Sequence, residues 1–155
     1  MSKKAEYKAF PELSPYLNDD RYRNPKEDHK FILEELKSIY ASDSIKNVCD
    51  VGCGNGDLLY LLKQNFVNWN LAGYDYTKEF IDYARKFDGL KDVKLFHKDL
   101  FKIEEKYDIV LADGITHIFP DIEKTLNKYL EICNKGGHIL TTGRFNKYDI
   151  EVRLQ

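Results

Sequence analysis

Cysteine is scarce in this chain, and the three present, Cys49, Cys53 and Cys133, set up no disulfide framework. An odd count without paired spacings excludes a disulfide-stapled scaffold and is expected of reduced thiols in a cytoplasmic protein. Cys49 and Cys53 are too far apart in sequence for a CxxC pair. A zinc site joining them to His97 or His138 would want a second paired spacing, which is missing, so no metal is expected and the thiols are read as buried and inert. Long apolar runs are also lacking. None approaches the roughly 20 residues that span a bilayer, and the stretch from Met1 to Glu6 leads into no apolar signal segment. Neither a membrane nor a secretory destination is therefore expected. Finally, there is no block of basic residues. Lysines and arginines alternate with acids, and the net charge is −2. A duplex-binding surface normally shows a basic stripe, so nucleic acid is disfavoured as a partner.

What remains is an ordinary globular composition: 155 residues, 43% hydrophobic and 32% charged. A chain of this length can bury roughly 68–70% of its unfolded surface, enough for one core. Residues 1–23 carry Pro11, Pro15 and several charges without a clear period. They are expected to form a surface arm, in which Tyr7, Phe10, Tyr16 and Tyr22 pack on the domain or cover a pocket. Residues 24–155 form the domain proper. Asn24-Pro25-Lys26-Glu27 offers a cap, a first helical position and an early acid. Ile32, Leu36, Ile39 and Tyr40 follow at helical spacing, predicting a helix to about residue 41.

From there strands and helices alternate. Strands are predicted at residues 47–51, 71–75, 93–96, 107–112 and 138–142. Between them lie a helix from Asp57 to Phe66, one capped by Thr77, and one from Asp121 to Asn134 that is stopped by Gly136-Gly137. Leu58, Leu59, Leu62 and Phe66, then Phe80, Ile81 and Ala84, then Ile122, Leu126, Tyr129, Leu130 and Cys133 are the expected inward faces. Strands separated by helices must pair in parallel, because each return needs a crossover. The expected class is α/β: an open, doubly wound, mainly parallel sheet with helices on both faces.

Ligands of such sheets bind beyond the carboxyl ends of the strands, where strand order reverses. The first strand runs into Gly52-Cys53-Gly54-Asn55-Gly56. Glycines there allow a sharp turn and a close approach to a ligand. A dinucleotide fingerprint wants GxGxxG, but the third glycine comes one residue early and Asp57 stands in its place. A carboxylate at that helix start repels pyrophosphate, so a ligand without phosphates fits better. Asp75, ending the second strand, is placed to accept hydrogen bonds from ribose hydroxyls. Tyr76 is either a platform for an adenine face or a packed surface aromatic. Asp99 either receives an adenine amino group or caps the next turn.

Val48-Cys49-Asp50-Val51-Gly52-Cys53-Gly54-Asn55-Gly56-Asp57 resembles the first motif of class I (Rossmann-like) S-adenosylmethionine (SAM)-dependent methyltransferases. Asp75, Asp99-Leu100, the run from Tyr107 to Asp113 and the run from Lys135 to Leu140 are similar to the family's later motifs, in the same order. The resemblance covers roughly residues 30–145 and is closest to the small-molecule type. It implies SAM as cofactor, with Asp50, Gly52, Cys53, Gly54, Asn55 and Gly56 around its methionine end and sulfonium. Asp75 and Tyr76 would serve the ribose and adenine, Asp99 and Leu100 the adenine, and Asp113 the cofactor or the acceptor. After the fourth strand this chain lacks the Asn/Asp-Pro-Pro-aromatic motif of amide- and base-nitrogen methylating members. Its His117-x-x-Pro120-Asp121 pattern suits a small-molecule acceptor, methylated at oxygen. His117 is then the candidate general base, unless it is a structural histidine. Arg144 is a candidate for an anionic substrate group, unless it is a surface arginine. The family's sheet ends with two further strands; Ile150, Val152 and Leu154 alternate as the start of a sixth would, but nothing remains to pair with it, which suggests a fragment or closure by a second copy as a homodimer. Two alternatives remain: a non-catalytic SAM-binding module, and a nicotinamide-dependent oxidoreductase.

Overall fold

The computed structural model describes Leu17 and residues 20–143. Arg144, the alternating Ile150, Val152 and Leu154, and most of the expected N-terminal arm lie outside the described residues. The elements are α1 (Asp20–Arg23), α2 (Glu27–Ile39), β1 (Asn47–Val51), α3 (Asp57–Asn65), β2 (Asn70–Asp75), α4 (Lys78–Ala84), β3 (Lys94–His97), β4 (Tyr107–Ala112), α5 (Ile122–Ile132) and β5 (Cys133–Thr141). The strands form one sheet in the order β3-β2-β1-β4-β5. Every pairing is parallel, with Asp50 opposite Gly73 on one side and Leu111 on the other, and Asp75 opposite His97. The expected doubly wound α/β class is what is found.

The two-residue period of the strands sorts their side chains into two cores. Val48, Leu71, Ile109 and Leu111 face a layer built by α2, α3 and α4, through residues such as Ile32, Leu36, Leu59, Leu62 and Ile81. Cys49, Ala72, Val110 and Ala112 face the opposite layer, closed by Tyr129 and Ile132 of α5 and by Leu100 and Ile103. Leu36, Leu59 and Leu62 are fully buried, each contributing about 1.5–3 kcal/mol of apolar stabilisation. Because β2 lies on one side of β1 and β4 on the other, strand order reverses at β1, and this sets the crevice at its carboxyl end.

Several boundaries differ from the sequence expectation. Helix α2 starts at Glu27 rather than at Pro25, its N-cap Lys26 makes no side-chain cap bond, and the Asn24 amide donates to Asp20 instead. Its inward face is His29, Ile32, Leu33 and Leu36, while Ile39 is exposed. Thr77 does not cap α4 with its side chain. Helix α5 ends at Ile132, and Gly136-Gly137 lies inside β5, where Gly136 adopts φ +79° and the register against β4 shifts. The inward stripe of α5 is Thr125, Tyr129 and Ile132 with Lys128 beside it, whereas Ile122, Leu126 and Leu130 are exposed. Both stripes repeat at helical spacing, so periodicity alone does not choose between them.

Candidate cofactor site at the carboxyl edge

The loop from Gly52 to Gly56 turns β1 into α3 through three left-handed glycines, at φ +72°, +54° and +80°. Their surroundings differ. A Cβ on Gly52 would lie 2.6 Å from Ile115 Cγ2, and one on Gly56 would lie 2.7 Å from Leu90 Cδ1. At Gly54 a Cβ would meet nothing within 4 Å. The two flanking glycines therefore serve internal packing, while the middle one turns the backbone beside open space. Gly52 and Cys53 donate backbone N–H bonds to the Tyr74 carbonyl, and Cys53 is buried. Asn55 is also buried, and its carbonyl accepts the Tyr22 hydroxyl at 2.6 Å. The Tyr22 ring stacks on Phe87 with centroids 3.8 Å apart. The end of the N-terminal segment is thus fastened to the glycine loop.

Asp75 is tied to the same loop. Its Oδ2 accepts from Gly54 N at 2.9 Å and its Oδ1 from Thr77 N at 2.7 Å. Burial raises its carboxyl above the usual range, and the two backbone donors work against that shift. The Thr77 side chain bonds the same carboxyl, and a carboxylate's four lone-pair sites leave room for a ligand hydroxyl beside these three donors. Tyr76 next to it is 57% exposed, with its ring 6.4 Å from that of His97. Asp99 Oδ1 accepts from Phe101 N at 2.9 Å, so Asp99 does cap the turn at 100–102, and Leu100 is buried there.

An acidic floor lies beneath. Asp50 is 2% exposed and Asp57 6% exposed. Asp50 Oδ1 and Asp57 Oδ2 have no hydrogen-bond partner, nor has His29 Nδ1. Leaving such atoms unpaired costs about 1–3 kcal/mol each. Burial holds the Asp50 carboxyl well above its ordinary range, and the nearby Asp113, Asp57 and Asp75 push the same way while Lys26 opposes. Asp113, just past β4, differs. Burial raises its carboxyl, but hydrogen bonds from His29 and Thr142 outweigh that and bring it below the ordinary value. His29 Nε2 lies 3.0 Å from Asp113 Oδ2, and the Thr142 hydroxyl bonds Asp113 Oδ1.

Beyond Asp113 the chain turns through Gly114 at φ +67° into the short turn Thr116–Ile118. Thr116 is buried and anchors it, with Oγ1 2.6 Å from Thr141 Oγ1 and 3.3 Å from Tyr129 Oη. His117 is on the exposed side of this turn. The carboxyl ends of β1 to β4 thus carry Asp50, the glycine loop, Asp75, Tyr76, Asp99, Leu100 and Asp113 on consecutive strand ends. Tyr22 was expected to pack on the domain, as it does, but His29 and Thr142 were not anticipated from sequence. The available signal was His29 itself, a polar residue on the buried stripe with Ile32, Leu33 and Leu36. Among the described residues, no group of acids, histidines and cysteines could hold a metal ion, and no helix is long and apolar enough to cross a membrane.

Buried acids on the two elements joined by a glycine turn suit a cationic ligand and disfavour phosphates. Comparison with known proteins gives the family. The family model described as a methyltransferase domain matches residues 42–149. The chain is similar to a fatty-acid O-methyltransferase of Mycolicibacterium smegmatis, 29% identical over 68% of this chain and 39% of that protein. It is also similar to a malonyl-[acyl-carrier protein] O-methyltransferase of Acetivibrio thermocellus, 30% identical over 62% of this chain and 35% of that protein. A SAM-dependent methyltransferase of Geobacter sulfurreducens, solved with S-adenosylhomocysteine, superposes with a TM-score of 0.60 at 19% identity, over 75% of this chain and 47% of that one. The chain spans under half the length of these relatives. With most of its length matched, strand order and motifs included, the chain belongs to the methyltransferase-domain family, in its class I, SAM-dependent form.

Proposed function

We propose that the carboxyl edge of the sheet binds SAM and that the domain directs its methyl group to a small-molecule acceptor at oxygen. The observation that carries this reading is the pair of buried, unpartnered carboxylate oxygens, Asp50 Oδ1 on β1 and Asp57 Oδ2 at the head of α3, the two elements that the glycine loop joins. A ligand with sulfonium and ammonium charges supplies what those oxygens lack. A nicotinamide dinucleotide does not, because Asp57 stands at the head of α3 where its pyrophosphate would lie.

The bound cofactor supplies the electrophilic methyl group, and the protein contributes position and field. Asp75 accepts the ribose hydroxyls through its remaining lone pairs, and the exposed ring of Tyr76 lies along the adenine. Asp99, with Leu100 as a wall, takes the adenine amino group through the oxygen not bonded to Phe101. The glycine loop, with Cys53 and Asn55 packed behind it, surrounds the methionine end. His117, on the turn after β4, removes the proton of a hydroxyl acceptor, while a carboxylate acceptor arrives already deprotonated and needs no base. The fatty-acid and malonyl-[acyl-carrier protein] O-methyltransferases among the relatives support an oxygen acceptor. Arg144 follows β5 and is assigned to an anionic group on the substrate. The free thiols support a reducing, cytoplasmic setting. The exposed Ile122, Leu126 and Leu130 of α5 support a covering partner on that side, as a second copy or as more chain.

A second reading, a SAM-binding module without catalysis, is favoured by the short coverage of the relatives. Methyl transfer from labelled SAM to a panel of hydroxyl and carboxylate acceptors decides between them. His117→Ala should leave cofactor binding intact and lower transfer to a hydroxyl on the order of 100-fold. Equal turnover by His117→Ala on a hydroxyl acceptor would remove the base assignment. No transfer by this chain, with transfer by a longer form, would make this chain the cofactor-binding part of a catalytic protein, whereas no transfer by either would favour the module without catalysis.

A further inference from the structure

His29 belongs to no motif, yet it is 2% exposed and faces the acidic floor. Its Nε2 lies 3.0 Å from Asp113 Oδ2, so the imidazole donates there. The other oxygen of Asp113 accepts the Thr142 hydroxyl. On its far side, His29 Nδ1 lies 3.9 Å from Asp57 Oδ2, beyond hydrogen-bond reach, and both atoms are buried without partners. A line of polar groups therefore runs from the end of β5, through the end of β4, into α2 and to the head of α3. Asp113 is therefore held at both of its oxygens in this arrangement.

We propose that His29 is a positioning residue of the cofactor pocket, acting through Asp113 rather than by touching the reacting groups. By holding Asp113, it fixes helix α2 across the carboxyl edge and sets the direction in which the chain leaves β4 toward Gly114 and the turn at 116–118. Thr142 holds the same carboxylate from β5, so the imidazole and the hydroxyl leave it one orientation. The unpaired Nδ1 and Asp57 Oδ2 are both acceptors here, and a group with two donor hydrogens, such as a water, would satisfy both. Asp50 from β1 and Lys26 from the turn before α2 are the other charged groups acting on this cluster.

The inference rests on the SAM reading for what the pocket holds, and the experiment separates the two. The dissociation constant of S-adenosylhomocysteine is measured for the wild-type chain, His29→Ala, His29→Gln, Asp113→Asn and the His29→Ala/Asp113→Asn double variant. Melting temperatures and the imidazole nitrogen-15 resonances are recorded in parallel. His29→Ala should weaken binding on the order of 10-fold, the loss of one charge-assisted hydrogen bond. His29→Gln keeps an N–H donor at that reach and should recover most of it. The double variant should be no weaker than the worse single variant. The wild-type imidazole should carry its proton on Nε2 without any cofactor present. Gln no better than Ala, additive losses, or a lowered melting temperature with unchanged affinity would each overturn the positioning role. A proton on Nδ1 alone, with S-adenosylhomocysteine still bound, would overturn it while sparing the SAM reading. No binding by a wild type that shows the Nε2 proton would overturn the SAM reading, and the positioning role with it.

Discussion

The two halves of the sheet, on either side of β1, are built to different degrees. On the β2 and β3 side each strand end is tied to its neighbour. Asp75 binds the backbone of Gly54 and Thr77, Asp99 caps the turn that follows it, and Gly56 packs against Leu90. On the β4 and β5 side the ties run mainly inward, from Asp113 to His29 and Thr142 and from Thr116 to Thr141. The outward parts stay open: a Cβ on Gly114 would meet nothing within 4 Å, His117 is exposed, and Ile122, Leu126 and Leu130 form an exposed apolar stripe. The half assigned to a fixed cofactor is therefore rigidly specified by backbone contacts. The half assigned to the acceptor is the less closed of the two among the described residues.

The sharpest way to break this contrast is a matched pair of glycine substitutions. Gly52 and Gly114 both have positive φ. Gly52→Ala adds left-handed strain of about 1–2 kcal/mol to a collision with Ile115 worth about 1–3 kcal/mol. Gly114→Ala carries the strain alone. Denaturant unfolding should show the larger loss at Gly52, and equal losses would mean that the two sides are equally built.

Next in size is Asp75→Ala, which removes the proposed ribose acceptor and the tether of the loop together. SAM affinity should fall by about 1–3 kcal/mol by calorimetry. Unchanged affinity would take Asp75 out of the site.

Asp50 tests the acidic floor through pH. Its folded carboxyl is raised by burial and by neighbouring acids. Below the ordinary carboxylate range it is protonated in both folded and unfolded chains, and no penalty arises. As pH rises through the raised folded value, the folded state must give up a proton it holds more tightly than the unfolded state does, and stability falls. Asp50→Asn should therefore stabilise the protein at neutral pH. That gain should vanish in acid and be accompanied by weaker SAM binding at neutral pH. A gain independent of pH would contradict a buried, strained carboxyl. The smallest effect is expected on the open side. Leu130→Ser, at a position 63% exposed, should change stability by no more than about 0.5 kcal/mol, and a larger loss would show that the stripe is covered in solution.

How far these features were legible in the sequence follows the same division. Strands β1 to β4 and the inward faces of α3 and α4 were readable because apolar runs and helical spacing agreed there with glycine and capping signals. The glycine loop and Asp75 could be placed because their spacing is fixed by one strand-turn-helix unit. Helix α5 was misread at its inward face because it carries two apolar stripes, and only packing against β4 and β5 chooses Tyr129 and Ile132 over Leu126 and Leu130. Its end was misplaced because Gly136-Gly137 imitates a helix stop, whereas the pair sits within β5. His29 was missed for a different reason. Its partner, Asp113, is far away along the chain, and no local pattern encodes a contact of that span.

The central claim is that the acid-floored edge is made for SAM. Calorimetric titration of this chain with SAM, S-adenosylhomocysteine and NADH tests it most directly. Saturable binding of the first two with none of NADH is the predicted result. Binding of NADH, or silence toward SAM and S-adenosylhomocysteine in a folded sample, would contradict it.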